Sequence, residues 1–147
     1  MKIGLSVSYQ VNQKPTVDEF VSVLERSGLA ERRPVENSEC LKGMIDNANL
    51  IVSARVGGTL VGIARAMTDF HYACYLSDLA VDSAYQGRGI GKELQAVILN
   101  QLKATCKLIL IAAPKANSYY PGLGFDNNPR CWVYSNTQQF PQKKGIN

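Results

Sequence analysis

One stretch of this sequence restricts the fold more than any other: Gln86-Gly87-Arg88-Gly89-Ile90-Gly91-Lys92. Before it, Tyr75-Leu76-Ser77-Asp78-Leu79-Ala80-Val81 is a short apolar run rich in strand-forming residues. After it, Ile90, Leu94, Ile98 and Leu102 recur at helical spacing with Val97 beside them, while Lys92, Glu93, Gln95 and Lys103 take the other face. The pattern is strand, glycine-rich loop, amphipathic helix. Alternating glycines let a backbone approach a ligand without Cβ interference, and the helix that follows opens with N–H groups that have no internal partners. Such a loop is an anion site, although a plain left-handed glycine turn has the same composition.

The common nucleotide loops do not fit. A Walker A loop needs glycine at position 86 and Ser or Thr after Gly91-Lys92, where this chain has Gln86 and Glu93. A Rossmann fingerprint starting at Gly87 needs glycine at position 92, which is Lys92. Gln86, Gly89 and Gly91 instead resemble the pyrophosphate loop of the GNAT superfamily of acyl-CoA-dependent N-acetyltransferases, written Gln/Arg-x-x-Gly-x-Gly/Ala. Leu79-Ala80-Val81-Asp82 is similar to that family's central strand. Further along, Asn117-Ser118-Tyr119-Tyr120-Pro121-Gly122-Leu123-Gly124-Phe125 resembles its aromatic-Tyr-x-x-x-Gly-Phe segment.

The resemblance implies an α/β (α+β) fold. It would be a single GNAT-like domain over residues 1–147, with a mixed, mostly antiparallel central sheet, a splayed parallel strand pair and flanking helices. It also implies a co-substrate, acetyl-CoA, held by Gln86, Gly87, Arg88, Gly89, Ile90, Gly91 and Lys92. The backbone of Leu79, Ala80 and Val81 would take the pantetheine arm as an added strand, because the strands at 76–81 and 107–113 splay there. An N–H near Leu79 would then donate to the thioester oxygen. Asn117 would contact the pantetheine from the other side, or else cap a short helix. Tyr120 matches the family tyrosine that serves the departing sulfur; Tyr119 is its competitor and is expected to pack into the core. Asp78, the one carboxylate inside the central strand, is the first candidate to drain the amine's proton, or is a strand-end anchor. Asp69 and Glu31 stand behind it.

The remaining composition narrows the field. At 147 residues, with 46% hydrophobic and 19% charged, the chain reads as one soluble domain. No apolar run reaches membrane-spanning length, and Met1 to Leu5 lacks a signal peptide's long apolar region, so the expected compartment is cytoplasmic. Cys40, Cys74, Cys106 and Cys131 are scattered, with only His71 as an imidazole partner, which argues against a metal site and a disulfide framework. His71 reads as an exposed loop residue. The net charge of +4 forms no basic stripe, so no nucleic-acid partner is expected.

In chain order, Ile3, Leu5 and Val7 alternate as a first strand, and Thr16 with Glu19 forms a capping box for a helix with Val17, Phe20, Val21 and Leu24 inward, ending near Gly28. Arg32 and Arg33 follow in a connector, as solvated charges or acceptor contacts. A second helix is expected from Asn37 or Ser38 to Asn47, with Cys40, Leu41, Met44 and Ile45 inward. Strands at 50–54 and 59–66 flank a Gly57-Gly58 hairpin. Leu108 to Ala113 reads as a strand covered on both faces, parallel to the central one. Ala116 to Tyr120 suits a short helical turn, Cys131 to Tyr134 a last strand, and 138–147 a frayed tail. The function expected is acetyl transfer to a primary amine, of a small molecule in preference to a peptide, in a pocket from residues 28–35, 69–78 and the segment after Phe125. A non-catalytic acyl-CoA sensor is the rival, and self-association as a homodimer is left open.

Overall fold

The computed structural model describes residues 6–141; Ile3, Leu5 and residues 142–147 of the expected tail lie outside that range. Residues up to Ile111 form one compact unit and those from Ala112 a second.

In the first unit, the Thr16 hydroxyl accepts from the Glu19 N–H at 3.1 Å and the Glu19 carboxylate accepts from the Thr16 N–H at 3.0 Å. That reciprocal cap starts helix α1 (Val17–Ser27), and Gly28, at φ 84°, ends it. Phe20, Val23 and Leu24 are buried; Val23 was missing from the expected face, while Val17 and Val21 are only partly covered. The Arg55 guanidinium, and after it the Thr16 N–H, holds the Glu19 carboxyl down to about 2. Its stabilising contribution is therefore present above the ordinary value of 4.5 and lost as pH falls toward 2. Because the Glu19 side chain is 34% exposed, solvent screening limits the effect to ~1 kcal/mol. Unfolding free energies of wild type and Glu19→Gln should converge as pH drops from about 5 to about 2; a constant gap would contradict this.

Helix α2 (Ser38–Asn47) is capped by the Asn37 side chain, which accepts from the Cys40 N–H at 3.0 Å. Leu41 and Ile45 are buried and Met44 partly so. Cys40, expected inward, is exposed in the first turn, at the rim of that apolar stripe.

Five strands form the sheet in the order β1 (Ser8–Val11), β2 (Leu50–Val56), β3 (Thr59–Thr68), β4 (Ala73–Val81) and β5 (Lys107–Leu110). The first three junctions are antiparallel; β4 and β5 are parallel. Gly57 and Gly58, both with positive φ, make the tight β2–β3 turn. Helix α3 (Ile90–Asn100) is the crossover between the parallel pair. One face of the sheet meets α3 through Leu50, Val52, Ala54, Ile90, Leu94 and Ile98. The other meets α1 and α2 through Phe20, Leu24, Leu41, Ile51 and Ile63. Both faces of β2 and β3 are thus buried, as an α+β fold with helices on either side requires.

Two strand expectations fail. The strand expected to be covered on both faces, 108–113, is only Lys107–Leu110, and Ile109 and Ile111 are 45% and 52% exposed. Leu108 and Leu110 join the α3-side core, while on the other face α1 packs over β3 and β4. Cys131 to Tyr134 forms no strand, and Trp132 is 89% exposed. A strand needs a ladder partner, and strand propensity alone does not supply one.

Within the second unit, 3-10 turns at Pro114–Ala116 and Pro121–Leu123 replace the single expected turn, and Gly124 closes the latter at φ 90°. Tyr134 and Phe140 meet edge to face, with centroids 5.1 Å apart.

Candidate functional site

The site begins with a defect in β4. Arg65 of β3 lies opposite Asp78, but the next residue, Ala66, lies opposite Leu76, so Ser77 is an extra residue bulged out of the ladder. Beyond it, the Asp82 N–H donates to the Val61 carbonyl at 2.8 Å. Backbone groups alternate sides along a strand, so those of Leu79 and Val81 point away from β3. On that side β5 pairs only with Ala73 to Leu76. Among the described residues no strand pairs with Leu79 or Val81 there.

The open edge runs into the glycine loop, which is tied down at three points. The buried Asp82 carboxylate accepts from the Ala84 N–H at 2.9 Å and from the Arg26 guanidinium of α1. The Arg26 guanidinium also reaches the Leu60 carbonyl, at 2.8 Å. The Gln86 amide donates to the Val81 carbonyl at 3.0 Å, folding the loop back over the strand that leads to it. Arg88 lies 5.6 Å above the Tyr85 ring.

Gly87 and Gly89 take φ of 77° and 81°, and no atom stands within 4 Å of where a Cβ would be on either. Gly89 is the N-cap of α3; Ile90, Gly91 and Lys92 form its first turn, whose N–H groups have no intrahelical acceptor. Gly91 is helical and is not among the positive-φ glycines. The helix sits close to the sheet because of Gly62 in β3, where a Cβ would lie 3.2 Å from both Ile90 Cγ2 and Leu94 Cδ1. Sequence reading passed over Gly62 and the Arg26–Asp82 pair; a lone glycine inside a strand pattern was the available signal for the first. Gly62→Val should cost ~1–3 kcal/mol by overpacking, read as a lower urea midpoint with unchanged slope.

Asp78 is 1% exposed. The Arg33 guanidinium donates to its Oδ1 at 2.5 Å and Arg65 Nε donates to its Oδ2. Arg33 also donates to the Ser77 carbonyl at 2.7 Å and to the Arg32 carbonyl at 2.8 Å. Arg65 also donates to the Ser77 hydroxyl at 2.9 Å and to the Met44 carbonyl near the end of α2 at 3.2 Å. A carboxylate gripped by two guanidiniums is an anchor before it is a base. Arg33, with every guanidinium nitrogen engaged, is not an open anion contact. Arg32 is exposed in the connector, as is Glu31. The connector residues Ala30, Arg33, Pro34, Val35, Glu36 and Asn37 line an open pocket of about 450 Å³. Asp69 caps the β3–β4 turn, accepting from the N–H groups of Tyr72 (2.8 Å), Ala73 and His71 (both 3.0 Å), which lower its pKa. His71 is exposed.

Asn117 and Tyr120 belong to the second unit. The Asn117 N–H closes the first 3-10 turn. The Tyr120 ring meets Phe125 and Tyr119 edge to face, with centroids 5.3 and 5.2 Å away. It is Tyr120, not Tyr119, that packs: Tyr119, expected in the core, is 41% exposed, because the edge-to-face seat on Phe125 goes to its neighbour. Burial, and after it Tyr119, pushes the Tyr120 phenol up. Among the described residues no three His, Cys, Asp or Glu side chains are grouped as a metal would need. None of the described helices is long and apolar enough to cross a membrane.

A strand with an open edge, leading into a glycine loop at a helix N-terminus, occurs here inside a longer match: residues 20–131 fit the family model of the acetyltransferase (GNAT) domain. The chain belongs to the GNAT family. It is 33% identical over 104 residues to the uncharacterized N-acetyltransferase ycf52 of Gracilaria tenuistipitata var. liui, covering 67% of this chain and 56% of that protein. It is 30% identical over 131 residues to an uncharacterized N-acetyltransferase ycf52-like protein of Prochlorococcus marinus, covering 84% and 71%. The chain thus spans little more than half the length of the algal relative. A GNAT family acetyltransferase of Streptococcus pneumoniae shares the fold with a TM-score of 0.69 at 20% identity, covering 88% of this chain and 98% of that one. The five strands β1 to β5 of this chain form a mixed sheet of that fold, with a parallel β4–β5 pair.

Proposed function

We propose that this GNAT chain moves the acetyl group of acetyl-CoA to a primary amine in a ternary complex, acting as a single domain. The observation that carries the reading is the β4 edge at Leu79 and Val81, which has no strand partner among the described residues and is continuous with Gly87 and Gly89. The residues fit the co-substrate: the open side of the two glycines suits a pyrophosphate, and first-turn N–H groups of α3 favour its charge. When bound, acetyl-CoA supplies the thioester whose acetyl group is transferred.

Each residue then has a role. The N–H groups from Gly87 to Lys92 bind the diphosphate, the free Leu79 N–H donates to the carbonyl oxygen as charge builds on it, and Val81 extends the added strand. Asn117 is assigned to the pantetheine. Tyr120, kept protonated by burial, is assigned to give its proton or a hydrogen bond to the thiolate as the C–S bond breaks. The amine must lose one proton as the amide forms. Asp78, with both oxygens held by arginine, is assigned to anchoring; solvent takes that proton and returns one to Tyr120 where the phenol has given up its own.

The acceptor is proposed to be a small amine bound at the 30–37 pocket, where Glu36 offers an exposed carboxylate. A panel of small amines and peptides incubated with acetyl-CoA, read as free thiol, tests this. Release with small amines supports it; release with peptides alone overturns the acceptor class. Acetyl-CoA binding without release on any member indicates a sensor.

A further inference from the structure

Resting on that reading, we propose that Arg33, Arg65 and Asp78 form a positioning unit that holds the bulge at Ser77 and so aims the Leu79 N–H at the thioester. A bulged residue loses its ladder partner, and a buried carbonyl without one is costly. Here the Ser77 carbonyl is taken by Arg33 at 2.7 Å and the Ser77 hydroxyl by Arg65 at 2.9 Å. The same two guanidiniums grip opposite oxygens of Asp78, the next residue. Two side chains from different elements, the α1–α2 connector and β3, thereby clasp two consecutive residues of β4.

The consequence is a matter of parity. With Ser77 bulged, Arg65 faces Asp78, Ala64 faces Leu79, and the Leu79 N–H points to the open edge. Were the bulge to relax into regular pairing, the register beyond it would slip by one residue and every following backbone group would change sides. The Leu79 N–H would then enter the β3 ladder and leave the edge. Arg33 supplies the bond that the extra carbonyl lacks, so its removal favours that slip. Arg33 also lines the connector pocket, which puts the clasp between the acceptor side and the thioester side.

The test needs no knowledge of the acceptor. The backbone amide signal of Leu79 is followed by NMR in wild type and Arg33→Met, each saturated first with CoA and then with acetyl-CoA. In wild type the Leu79 amide proton should move downfield with acetyl-CoA relative to CoA, because only the thioester has the carbonyl. Arg33→Met, kept saturated because the slip also turns the Val81 backbone that would pair with the pantetheine, should lose that difference. On any amine that supports turnover, kcat at saturating acetyl-CoA should fall roughly 10- to 100-fold. A merely structural arginine would lower thermal stability and leave both readouts at the wild-type value. Should Arg33→Met not fold, Arg33→Lys keeps the charge beside Asp78 but cannot offer the same fork of donors, and should show a reduced difference. An undiminished Leu79 difference in either folded variant overturns the inference. A wild type that binds CoA but shows no such difference overturns the Leu79 assignment itself, and the positioning role with it.

Discussion

A Gly89→Val protein is expected to fold and to lose measurable acetyl-CoA binding. Gly89 holds φ 81° as the N-cap of α3, and nothing stands near its missing side chain, so the damage comes from the backbone and not from a clash inside the protein. A β-branched residue in that region carries a strain of roughly 1–2 kcal/mol, relieved by turning the peptide out of the left-handed conformation. That turn re-aims the first N–H groups of the helix and sets a branched side chain where a diphosphate would lie. The helix itself stays seated through Ile90, Leu94 and Ile98, all buried, and a domain of ordinary stability absorbs the strain. Circular dichroism reports the fold and equilibrium dialysis the binding. A folded variant with wild-type affinity would remove the loop from the site.

Tyr120→Phe is expected to lower turnover roughly ten- to a thousandfold while acetyl-CoA affinity changes little, the pattern of a group that acts on the transition state. The substitution removes one hydroxyl and keeps the ring that packs edge to face on Phe125, so the melting temperature should hardly move. Because burial raises its pKa, the phenol carries its proton throughout the neutral range, which suits a donor to a thiolate. Tyr119→Phe should be much milder, and the comparison belongs under conditions where chemistry limits the rate. A crippled Tyr119→Phe beside a normal Tyr120→Phe reverses the two assignments.

Local chemistry was readable in advance where it is self-contained. The Thr16–Glu19 box, the Gly28 stop and the Gly57-Gly58 hairpin each depend on residues within a few positions of one another, and each occurs where the pattern placed it. What the pattern could not carry is the distant pairing. Nothing near Asp78 in sequence marks Arg33 as its partner, and nothing near Asp82 marks Arg26, because both contacts are made only when a helix or its connector lies on the sheet. The bulge at Ser77 is equally silent, since a shifted register changes no residue type. Cys131 to Tyr134 shows the opposite error, strand composition without a partner strand. The Gly62 contact with α3 was marked in the sequence, by a glycine where strand residues prefer branching, and went unread.

The measurement that bears most directly on the whole account is calorimetric titration of acetyl-CoA into the wild-type protein at low and at high salt. The account predicts saturable one-to-one binding that weakens as salt rises, because backbone amides and a helix N-terminus are holding phosphate charge. Saturable binding with no salt dependence would contradict the loop as the phosphate site, and the absence of saturable heat at either salt, with the protein shown to be folded, would contradict acetyl-CoA as the co-substrate.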